Sequence, residues 1–378
     1  MMGLKSLTPL FAVFLITSAS PLNETQPRSS CTVTSYSEVA NAAATCTDIT
    51  IRGISVPAGR HTLDGQGPKY WDGTGDKGRK KPRFFYIQAT GGSVFKNIKL
   101  LNCPKQCVAI SDSDDLTLNY WTIDSSAGDK LGRNTDGFDI SHSNNIAVLN
   151  SQVKNQDDCV CINQGSNMKF SNLWCYGGHG LSLAVGQDKV SHAGNVVSNI
   201  EFVDSYVINS RNGIHIKTQP DAATGSVTGV TYRNIQLSGP VPVLFWSCSG
   251  SAPVLPRYRP GPALKTCIPT AKVRHPSRSE FFSLLLFGNK LLVSITYYGI
   301  NVEEDYVGSG PTGHPVGNIP IVGLTMSGIT GTMHGEHSVP VYILCGAGGC
   351  SDWKWNGISL RGNQQSSSCN FSPSGFSC

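Results

Sequence analysis

Three aspartates, a histidine and a lysine are spaced along this chain so that a repeating fold could gather them. Asp136 and Asp158 are 22 residues apart, and His179 follows Asp158 by 21 residues. Asp157 stands beside Asp158, and Lys217 lies further along the chain. Acid and base work on a glycosidic bond needs one carboxylic acid to protonate the leaving oxygen and one carboxylate to activate water. A lysine beside such a pair would favour an anionic substrate.

Two other interpretations use the same residues. Asp and Asn routinely cap turns, so Asn134-Thr135-Asp136 could be turn chemistry, and His179 in Gly-His-Gly could be structural. The aspartates could also bind calcium, although no oxygen-rich loop of the EF-hand kind supports this. No CxxC pair has the partner residues of a zinc site. We therefore predict no metal and no cofactor, while the residues alone leave turn chemistry and catalysis both open.

The elements that must position these residues are short and repeat regularly. Ile140, Ile162 and Leu183 each sit in a short apolar segment between Gly, Asn and Asp residues, at steps of 22 and 21 residues. The next step, to Ile216, is 33 residues and requires a loop. A period near 22 with several short strands per unit is typical of a β-solenoid. The composition, with 41 glycines and only 15% charged residues, suits a β-rich chain with many turns.

A second ladder of apolar segments follows the same frame. Its members are Ile146-Ala147-Val148, Met168-Lys169-Phe170, Ile200-Glu201-Phe202 and Val230-Thr231-Tyr232. Leucine-rich repeats share this period, but their Leu-x-x-Leu-x-Leu frame is missing. A β-sandwich is the second fold candidate, and it would not explain one repeating frame.

The frame predicts which side chains meet. Equivalent positions of successive coils stack about 4.8 Å apart, the spacing of neighbouring strands. Counting back four residues from the frame residues gives Asp136, Asp158 and His179, with Asp157 beside them and Lys217 on the next coil. Carboxylates this close repel each other, so we expect a raised pKa for at least one of them.

Four motifs in this order resemble one enzyme family. They are Asn134-Thr135-Asp136, Asn155-Gln156-Asp157-Asp158-Cys159, Gly177-Gly178-His179-Gly180-Leu181-Ser182 and Ile214-His215-Ile216-Lys217-Thr218. Together they are similar to the polygalacturonases of glycoside hydrolase family 28, and most of all to fungal endopolygalacturonases. The likeness covers most of residues 31–238 and 294–378.

The resemblance implies an all-β fold, a single-stranded right-handed parallel β-helix. It also implies inverting hydrolysis of α-1,4-linked galacturonate in pectin, without a metal. Carried over by motif, Asp157 would be the general acid, and Asp136 and Asp158 would hold and activate the water. His179 would tune the acid or bind sugar, and Lys217 would bind a substrate carboxylate. Carboxylates on adjacent coils are about 5 Å apart, a spacing that the general rule assigns to retaining enzymes, but we follow the resemblance and predict inversion.

Further residues are expected to contact the substrate. They are Asn134, Gln156, His215 and Tyr306. An exo-acting or other pectin hydrolase of the same family is an alternative, as is a non-catalytic pectin-binding decoy. Polygalacturonate is the expected partner, plant inhibitor proteins are candidate partners, and we expect a monomer that binds neither nucleic acid nor membranes.

Thirteen cysteines in an exported chain indicate disulfides. Four local pairs suggest themselves and also match disulfides of the family: Cys31–Cys46, Cys159–Cys175, Cys345–Cys350 and Cys369–Cys378. Cys103 and Cys107 could form a fifth bridge or stack inside. Cys161 stands beside a frame position and is expected to be a buried apolar residue.

The N-terminus has the pattern of a secretory signal peptide. Lys5 precedes a mostly apolar run from Leu7 to Ile16 and a small-residue zone, which predicts a signal peptide over residues 1–20 and a candidate propeptide over 21–30. The sequons at Asn23 and Asn370 fit a secreted glycoprotein. No apolar run is long enough to span a bilayer, and a net charge of +5 is too small to suggest nucleic acid binding.

The chain departs from the family pattern at three places. His215 stands where the family usually has Arg, and because His is cationic only when protonated, we expect weaker binding at neutral pH or a more acidic optimum. Residues at about 239–293 interrupt the predicted catalytic domain, 31–378, and carry Cys248 and Cys267. They are either an unremoved intron or a genuine long loop over the cleft. Early coils near residue 60 are missing, which would expose the end of the solenoid.

Overall fold

The computed structural model describes residues 62–239 and 293–378, except Ser309 and Asn363, and in addition Glu38 and three short N-terminal strands. These strands, Ala12–Phe14, Ser30–Val33 and Asp48–Ile51, form a small sheet of their own. The signal peptide, the candidate propeptide, the Asn23 sequon, the Cys31–Cys46 pair and the missing early coils lie outside the described residues or their side chains. So do Cys248 and Cys267.

Short parallel strands stack into three faces of a parallel β-helix, as predicted. The first face is a nine-stranded parallel sheet. Its strands are Phe85–Ile87, Val108–Ser111, Phe138–Ser141, Val160–Ile162, Leu181–Val185, Asn212–Thr218, Tyr298–Glu303, Val339–Leu344 and Ser368–Cys369.

The other two faces share two long strands. Val196–Ile208 and Ser226–Gln236 run from the second face into the third without a break, so the two faces join in one 17-stranded sheet. The remaining strands of the second face are Ser93–Lys96, Asp114–Asn119, Ser143–Leu149, Gly165–Ser171, Ile321–Val322, Thr325–Ser327, Cys350–Ser351 and Lys354–Asn356. Those of the third face are Thr62–Asp64, Lys99–Leu101, Thr122–Asp124, Gln152–Lys154, Trp174–Tyr176, Thr330–Thr332 and Ser359–Arg361.

Apart from the helical residue Glu38, helical structure in the described chain is confined to short turns. Four 3₁₀ turns span Gly67–Lys69, Gly75–Lys77, Ser126–Gly128 and Ala193–Asn195. Among the described residues, none belongs to a helix with the length and apolar character needed to cross a membrane.

The predicted repeat frame is confirmed residue by residue. On the first face Ile140 pairs with Ile162, Ile162 with Leu183, and Leu183 with Ile216. On the second face the ladder runs through Ile146, Met168, Ile200 and Val230, also as predicted. A one-residue slip would turn every inward side chain outward, so the apolar pattern determines the register.

The core is a column of apolar side chains enclosed by the three faces. Phe170 stacks on Phe202 with ring centroids 4.7 Å apart, and Phe202 stacks on Tyr232 at the same distance. All three are fully buried. No single coil could bury such rings alone, and stacking therefore stabilises the fold.

Asparagine ladders form the bends between faces. Asn150 and Asn172 have φ angles of 50° and 53°, in the left-handed region that Asn tolerates better than most residues. The Asn150 side-chain amide donates to Asn119 Oδ1 at 2.9 Å, and that of Asn172 donates to Asn150 Oδ1 at 2.8 Å. Each bend therefore repeats on the next coil with its amides satisfied.

Three of the four predicted disulfides lie within the described chain, and all three are confirmed. They join Cys159–Cys175, Cys345–Cys350 and Cys369–Cys378. Cys103 and Cys107, for which a bridge or a stack was left open, form a bridge. Cys161 is a buried free thiol, as predicted.

The chain separates into two compact units, residues 1–239 with 293–378, and residues 240–292. Within the first unit, Ser238–Gly239 pairs antiparallel with Val293–Ser294. The chain therefore leaves the β-helix and returns to it at adjacent positions.

Candidate active site

The segments that precede the first-face strands continue the same ladder and align the predicted cluster. Gly137 N donates to Asp158 O at 2.9 Å, and Cys159 N donates to Gly180 O at 2.8 Å. Asp136, Asp158 and His179 therefore stand at equivalent positions of three successive coils. The predicted column is present, and Asp157 and Lys217 lie beside it.

Asp158 is the most firmly held of the three aspartates. Lys217 Nζ donates to its Oδ2 at 2.8 Å, and Ser182 Oγ donates to its Oδ1 at 2.6 Å. Burial alone would lower the pKa of Lys217, but the adjacent Asp158 carboxylate raises that pKa above its usual value. Asp158 and Lys217 therefore form a buried ion pair.

Asp157 is the carboxylate closest to the imidazole. His179 Nδ1 lies 3.1 Å from its Oδ1, and Asn134 Nδ2 donates to its Oδ2 at 3.3 Å. Burial raises the pKa of Asp157, but the hydrogen bond and charge of His179, together with Lys217, outweigh burial and bring the pKa to about 2. In the free site Asp157 is thus an anion paired with His179.

The surroundings of Asp136 shift its pKa in the opposite direction from that of Asp157. It is buried, and burial raises its pKa well above the usual value, with Asp157, Asp139 and Asp158 adding repulsion. Carboxylate oxygens of Asp136 and Asp158 lie within 4.8 Å of each other, as do those of Asp157 and Asp158. The expectation that one carboxyl has a raised pKa is confirmed for Asp136, whose burial favours its protonated form.

The Gln156 side chain connects neighbouring coils. It accepts from Thr135 Oγ1 at 3.0 Å and donates to Ser125 O at 2.8 Å. Substrate binding by Gln156 stays a prediction. Asn134 lines the cleft.

His215 lines the cleft, and its ring is held by two neighbours. Its Nε2 lies 2.8 Å from Glu303 Oε1, and Asn212 Nδ2 lies 3.3 Å from its Nδ1. Burial, with Lys217 next, lowers the pKa of His215 well below its usual value. The ring is 7% exposed and neutral, so the predicted cationic clamp, and the acidic optimum that it would give, are not supported.

Tyr306 lies beside Lys217 and His215. Lys217 Nζ is 5.1 Å from the centre of its ring, and the His215 ring meets it edge-on at 5.9 Å. The chain after Tyr306 is held by Asp305, whose Oδ2 accepts backbone N–H groups of Thr312 and Gly313, each at 2.6 Å. This buried anchor shapes one wall of the cleft.

The cluster opens into a cleft of about 690 Å³ along the first face. Besides the residues above, the cleft is lined by charged residues of both signs and by tyrosines: Asp76, Asp139, Glu303, Arg83, Lys105, Arg211, Tyr297 and Tyr298. An open, polar groove that offers several cations can bind an anionic polymer.

Sequence reasoning missed three polar residues of the site. Ser182, Asp139 and Glu303 lie on first-face strands between inward apolar residues. The signal that could have found them is a polar residue at an outward position beside the predicted column.

The aspartate cluster does not fit a metal site well. Asp158 stands in both candidate groups that involve the column, one with Asp136 and Cys161 and one with Asp157 and His179. Both Asp158 oxygens are already bound, one by the Lys217 ammonium. A cation there would have to displace an internal ion pair.

The sequence matches the family model described as glycosyl hydrolases family 28 over residues 26–242 and 278–378. A polygalacturonase of Phaedon cochleariae is 40% identical over 417 residues, covering 97% of this chain and 97% of that protein. Endopolygalacturonase I of Aspergillus oryzae is 34% identical over 397 residues, covering 93% and 92%.

Two solved structures share the architecture. Endopolygalacturonase I of Stereum purpureum, complexed with two galacturonates, superposes with a TM-score of 0.60 and 28% identity, covering 85% of this chain and 78% of that one. The endo-xylogalacturonan hydrolase of Aspergillus tubingensis has a TM-score of 0.60 at 19% identity, covering 87% and 76%, and supports the fold alone.

Proposed function

Because the chain belongs to glycosyl hydrolase family 28, we propose that it is an endo-acting polygalacturonase, hydrolysing α-1,4 linkages inside polygalacturonate. Relatives named polygalacturonase and endopolygalacturonase support this substrate. The observation that carries the proposal is the convergence of three aspartates, His179 and Lys217 from successive coils in one open cleft. Binding a polymer would not by itself require carboxylates with opposed pKa shifts.

Asp157 is assigned as the general acid. It is the most accessible of the three carboxyl groups, with 16% of its side chain exposed against 2% for Asp158. An incoming galacturonate carboxylate beside His179 and Lys217 would cancel part of the positive field that keeps the pKa of Asp157 low. The sugar would also exclude water, and both effects raise that pKa. The proton held on Asp136 in the free site then passes to Asp157.

Asp136 and Asp158 are assigned to the water. Once Asp136 has lost its proton, the two carboxylates lie on neighbouring coils and can both accept hydrogen bonds from one water molecule. As Asp157 protonates the glycosidic oxygen, that bond breaks, water adds to the anomeric carbon and its proton returns to the carboxylate pair. Direct attack by water inverts the anomeric configuration.

Substrate binding is assigned to groups that line the cleft. Lys217 is the permanent cation for a galacturonate carboxylate, and Tyr306 offers a ring face beside it. Asn134 can donate to a sugar hydroxyl from its place next to Asp157. His215 supports this arrangement as a neutral neighbour.

We further propose that the protein is a secreted monomer. The N-terminal signal pattern and four disulfides in the described chain support an extracellular location. Asn370 is exposed, which suits its sequon, although its side-chain amide also donates to Cys345 O at 2.8 Å. Plant inhibitor proteins remain candidate partners.

The function is tested by incubating purified protein with polygalacturonate and measuring reducing ends and viscosity together. Internal cutting predicts a large fall in viscosity while few reducing ends have formed. A fall in viscosity only in proportion to reducing ends would indicate exo action. No new reducing ends, with Asp157→Asn behaving like the wild type, would contradict the enzyme and favour a binding protein.

A further inference from the structure

A dense group of exposed cations lies next to the cleft, on coils that precede Asp136. Residues 69–83 contain six Lys and Arg residues but only two acidic ones, Asp72 and Asp76. Five of these cations are exposed, four of them on residues 77–83, and two more exposed cations lie on residues 130–133. We call the six exposed cations of residues 77–83 and 130–133 the basic ridge: Lys77, Arg79, Lys80, Arg83, Lys130 and Arg133.

The two acids in this segment are already committed to internal partners. Asp72 Oδ1 accepts from the buried Lys81 Nζ at 2.9 Å, and its oxygens also accept the N–H groups of Thr74 and Arg79. Asp76 pairs with Lys105 at 2.7 Å. The hydrogen bonds of Asp72 therefore stabilise its own loop, and the ion pair of Asp76 with Lys105 connects this loop to the next coil. Neither carboxylate is paired with an exposed cation of the ridge.

The two halves of the ridge are continuous. Gly73 N donates to Leu131 O at 2.8 Å, which holds the 69–83 segment against the segment that carries Lys130 and Arg133. Gly75 lies directly against Asn134, where even a methyl group would meet Asn134 Oδ1. Asn134 in turn donates to Asp157, so the ridge adjoins the carboxylate cluster itself.

The ridge also leads into the cleft. Arg83 lines it, and its charge acts on Asp139. At the carboxylate cluster Lys217 is already paired with Asp158 and His179 lies against Asp157, so these two groups leave little free positive charge to attract an acidic chain. The six exposed cations of the ridge outnumber the two exposed acids beside them, Asp76 and Asp129, and supply that attraction.

We propose that the basic ridge is a second binding region for the acidic polymer, which extends from the cleft at Arg83 onto the adjoining surface and engages carboxylates of the substrate beyond those at the aspartate cluster. The inference rests on the proposed function for the identity of the polymer. Beyond the proposed function, the ridge gives the protein a higher affinity for long chains than for short ones, and this difference in affinity is electrostatic.

The test compares two triple variants that remove the same charge. Lys77→Ala, Lys80→Ala and Lys130→Ala are combined in the ridge variant. The control combines Lys96→Ala, Lys99→Ala and Lys354→Ala, which are exposed residues on the second and third faces. All six side chains are exposed, so both variants are expected to fold, and equal melting temperatures check this.

Steady-state kinetics are measured on long polygalacturonate and on a galacturonate tetramer. For the ridge variant we expect KM on the polymer to rise roughly three- to tenfold at low ionic strength, the range for the loss of several exposed charge contacts. Its kcat, and both constants on the tetramer, should match the control. Salt should abolish the difference, since exposed charges are screened within about 8 Å at 0.15 M.

Equal KM values on the polymer for the ridge and control variants would overturn the inference, and so would a rise that is equally large on the tetramer. A single Lys80→Glu variant repeats the measurement with the charge reversed and should raise KM on the polymer as well. If the wild type cleaves neither substrate, the proposed function has failed instead, and the two failures are thereby distinguished.

Discussion

Asp136, Asp157 and Asp158 occupy neighbouring positions but have different partners. Asp158 is bound by Lys217 and Ser182, Asp157 faces His179, and Asp136 is buried among the other carboxyls. These contacts lower the pKa of Asp157 and raise that of Asp136, and such a separation is how one chemical type can serve as acid and as base. The assignment of roles can therefore be tested one residue at a time.

The first prediction concerns Asp157 and Asp136. On polygalacturonate, Asp157→Asn and Asp136→Asn should each reduce kcat by roughly 10²- to 10⁴-fold, the range for loss of a general acid or base. On an aryl oligogalacturonide, whose leaving group needs little protonation, the loss for Asp157→Asn should shrink while that for Asp136→Asn persists. The reverse pattern would assign the acid to Asp136.

The second prediction concerns His215. Because burial keeps its pKa well below the usual value, the imidazole is neutral from mildly acidic to neutral pH. His215→Gln should leave the pH dependence of KM between pH 4 and 7 unchanged, since Gln is also neutral and can donate to Glu303. A wild-type KM that rises near pH 6–7, with that rise absent in His215→Gln, would restore the cationic role.

At the scale of elements, the end of the first-face strand Tyr298–Glu303 brings three acids into the interior. Glu303, Glu304 and Asp305 are all fully buried. Burial, with repulsion from Asp305, raises the pKa of Glu303 to about 8, and burial raises that of Glu304 to about 7. Asp305 instead caps the wall of the cleft with its four hydrogen bonds.

The third prediction follows from these shifts. A carboxyl with a raised pKa in the folded state binds its proton more tightly when folded. Its contribution to stability is therefore complete below about pH 4.5 and is lost as pH rises towards 7–8. The melting temperature of the wild type should fall between pH 5 and 8, and that of Glu304→Gln should fall less. Over this pH range the variant should lose less unfolding free energy than the wild type, by on the order of 1–3 kcal/mol.

Scanning calorimetry at several pH values checks this, with Glu201→Gln on the exposed second face as the matched control. Gln can still accept the hydrogen bond that Gly346 N donates to Glu304 Oε2 at 2.7 Å. Parallel curves for the wild type and Glu304→Gln would show that Glu304 does not titrate in this range.

The strands could be predicted from the sequence, whereas the loops that shape the site could not. The step from Ile140 to Ile162 and Leu183 determined the register because apolar residues must point inward on every coil. The capping of the loop after Tyr306 by Asp305, and the pairing of His215 with Glu303, could not be predicted. Both depend on contacts between residues far apart in the sequence, for which no repeat supplies a spacing.

At the scale of the whole molecule, the aspartate column was predictable and its electrostatics were only partly so. The repeat alone placed Asp136, Asp158 and His179 in line, and the resemblance supplied Lys217 and Tyr306 as substrate contacts. Which carboxyl holds the proton depends on the burial and neighbours of each group, and the amide partners of Gln156 come from other coils, for which its motif gives no signal. The Lys and Arg residues of the basic ridge can be counted in the sequence, but their position on one surface depends on the fold.

The fourth prediction concerns residues 240–292, which form a unit of their own. Since Ser238–Gly239 and Val293–Ser294 already pair as in a hairpin, a two-residue Asn-Gly turn can join them. The shortened protein should fold with a melting temperature close to that of the full chain and keep kcat on polygalacturonate. Loss of folding would show that the segment belongs to the structural unit of the β-helix.

Retained folding with a changed KM or a changed ratio of viscosity loss to reducing ends would instead identify the segment as a loop that acts on substrate. The full-length chain, expressed and assayed in parallel, is the reference. The comparison of the shortened and full-length chains therefore tests whether the predicted insertion is needed for folding or for activity.

The most direct measurement is the rate of reducing-end release from polygalacturonate by Asp157→Asn, beside the wild type and Asp115→Asn. Asp115 is an exposed residue of the second face with a φ angle of 56°, a conformation in which Asn is equally at ease. We predict full activity for Asp115→Asn and a loss of roughly 10²-fold or more for Asp157→Asn. Equal rates for Asp157→Asn and the wild type would contradict catalysis by the aspartate column.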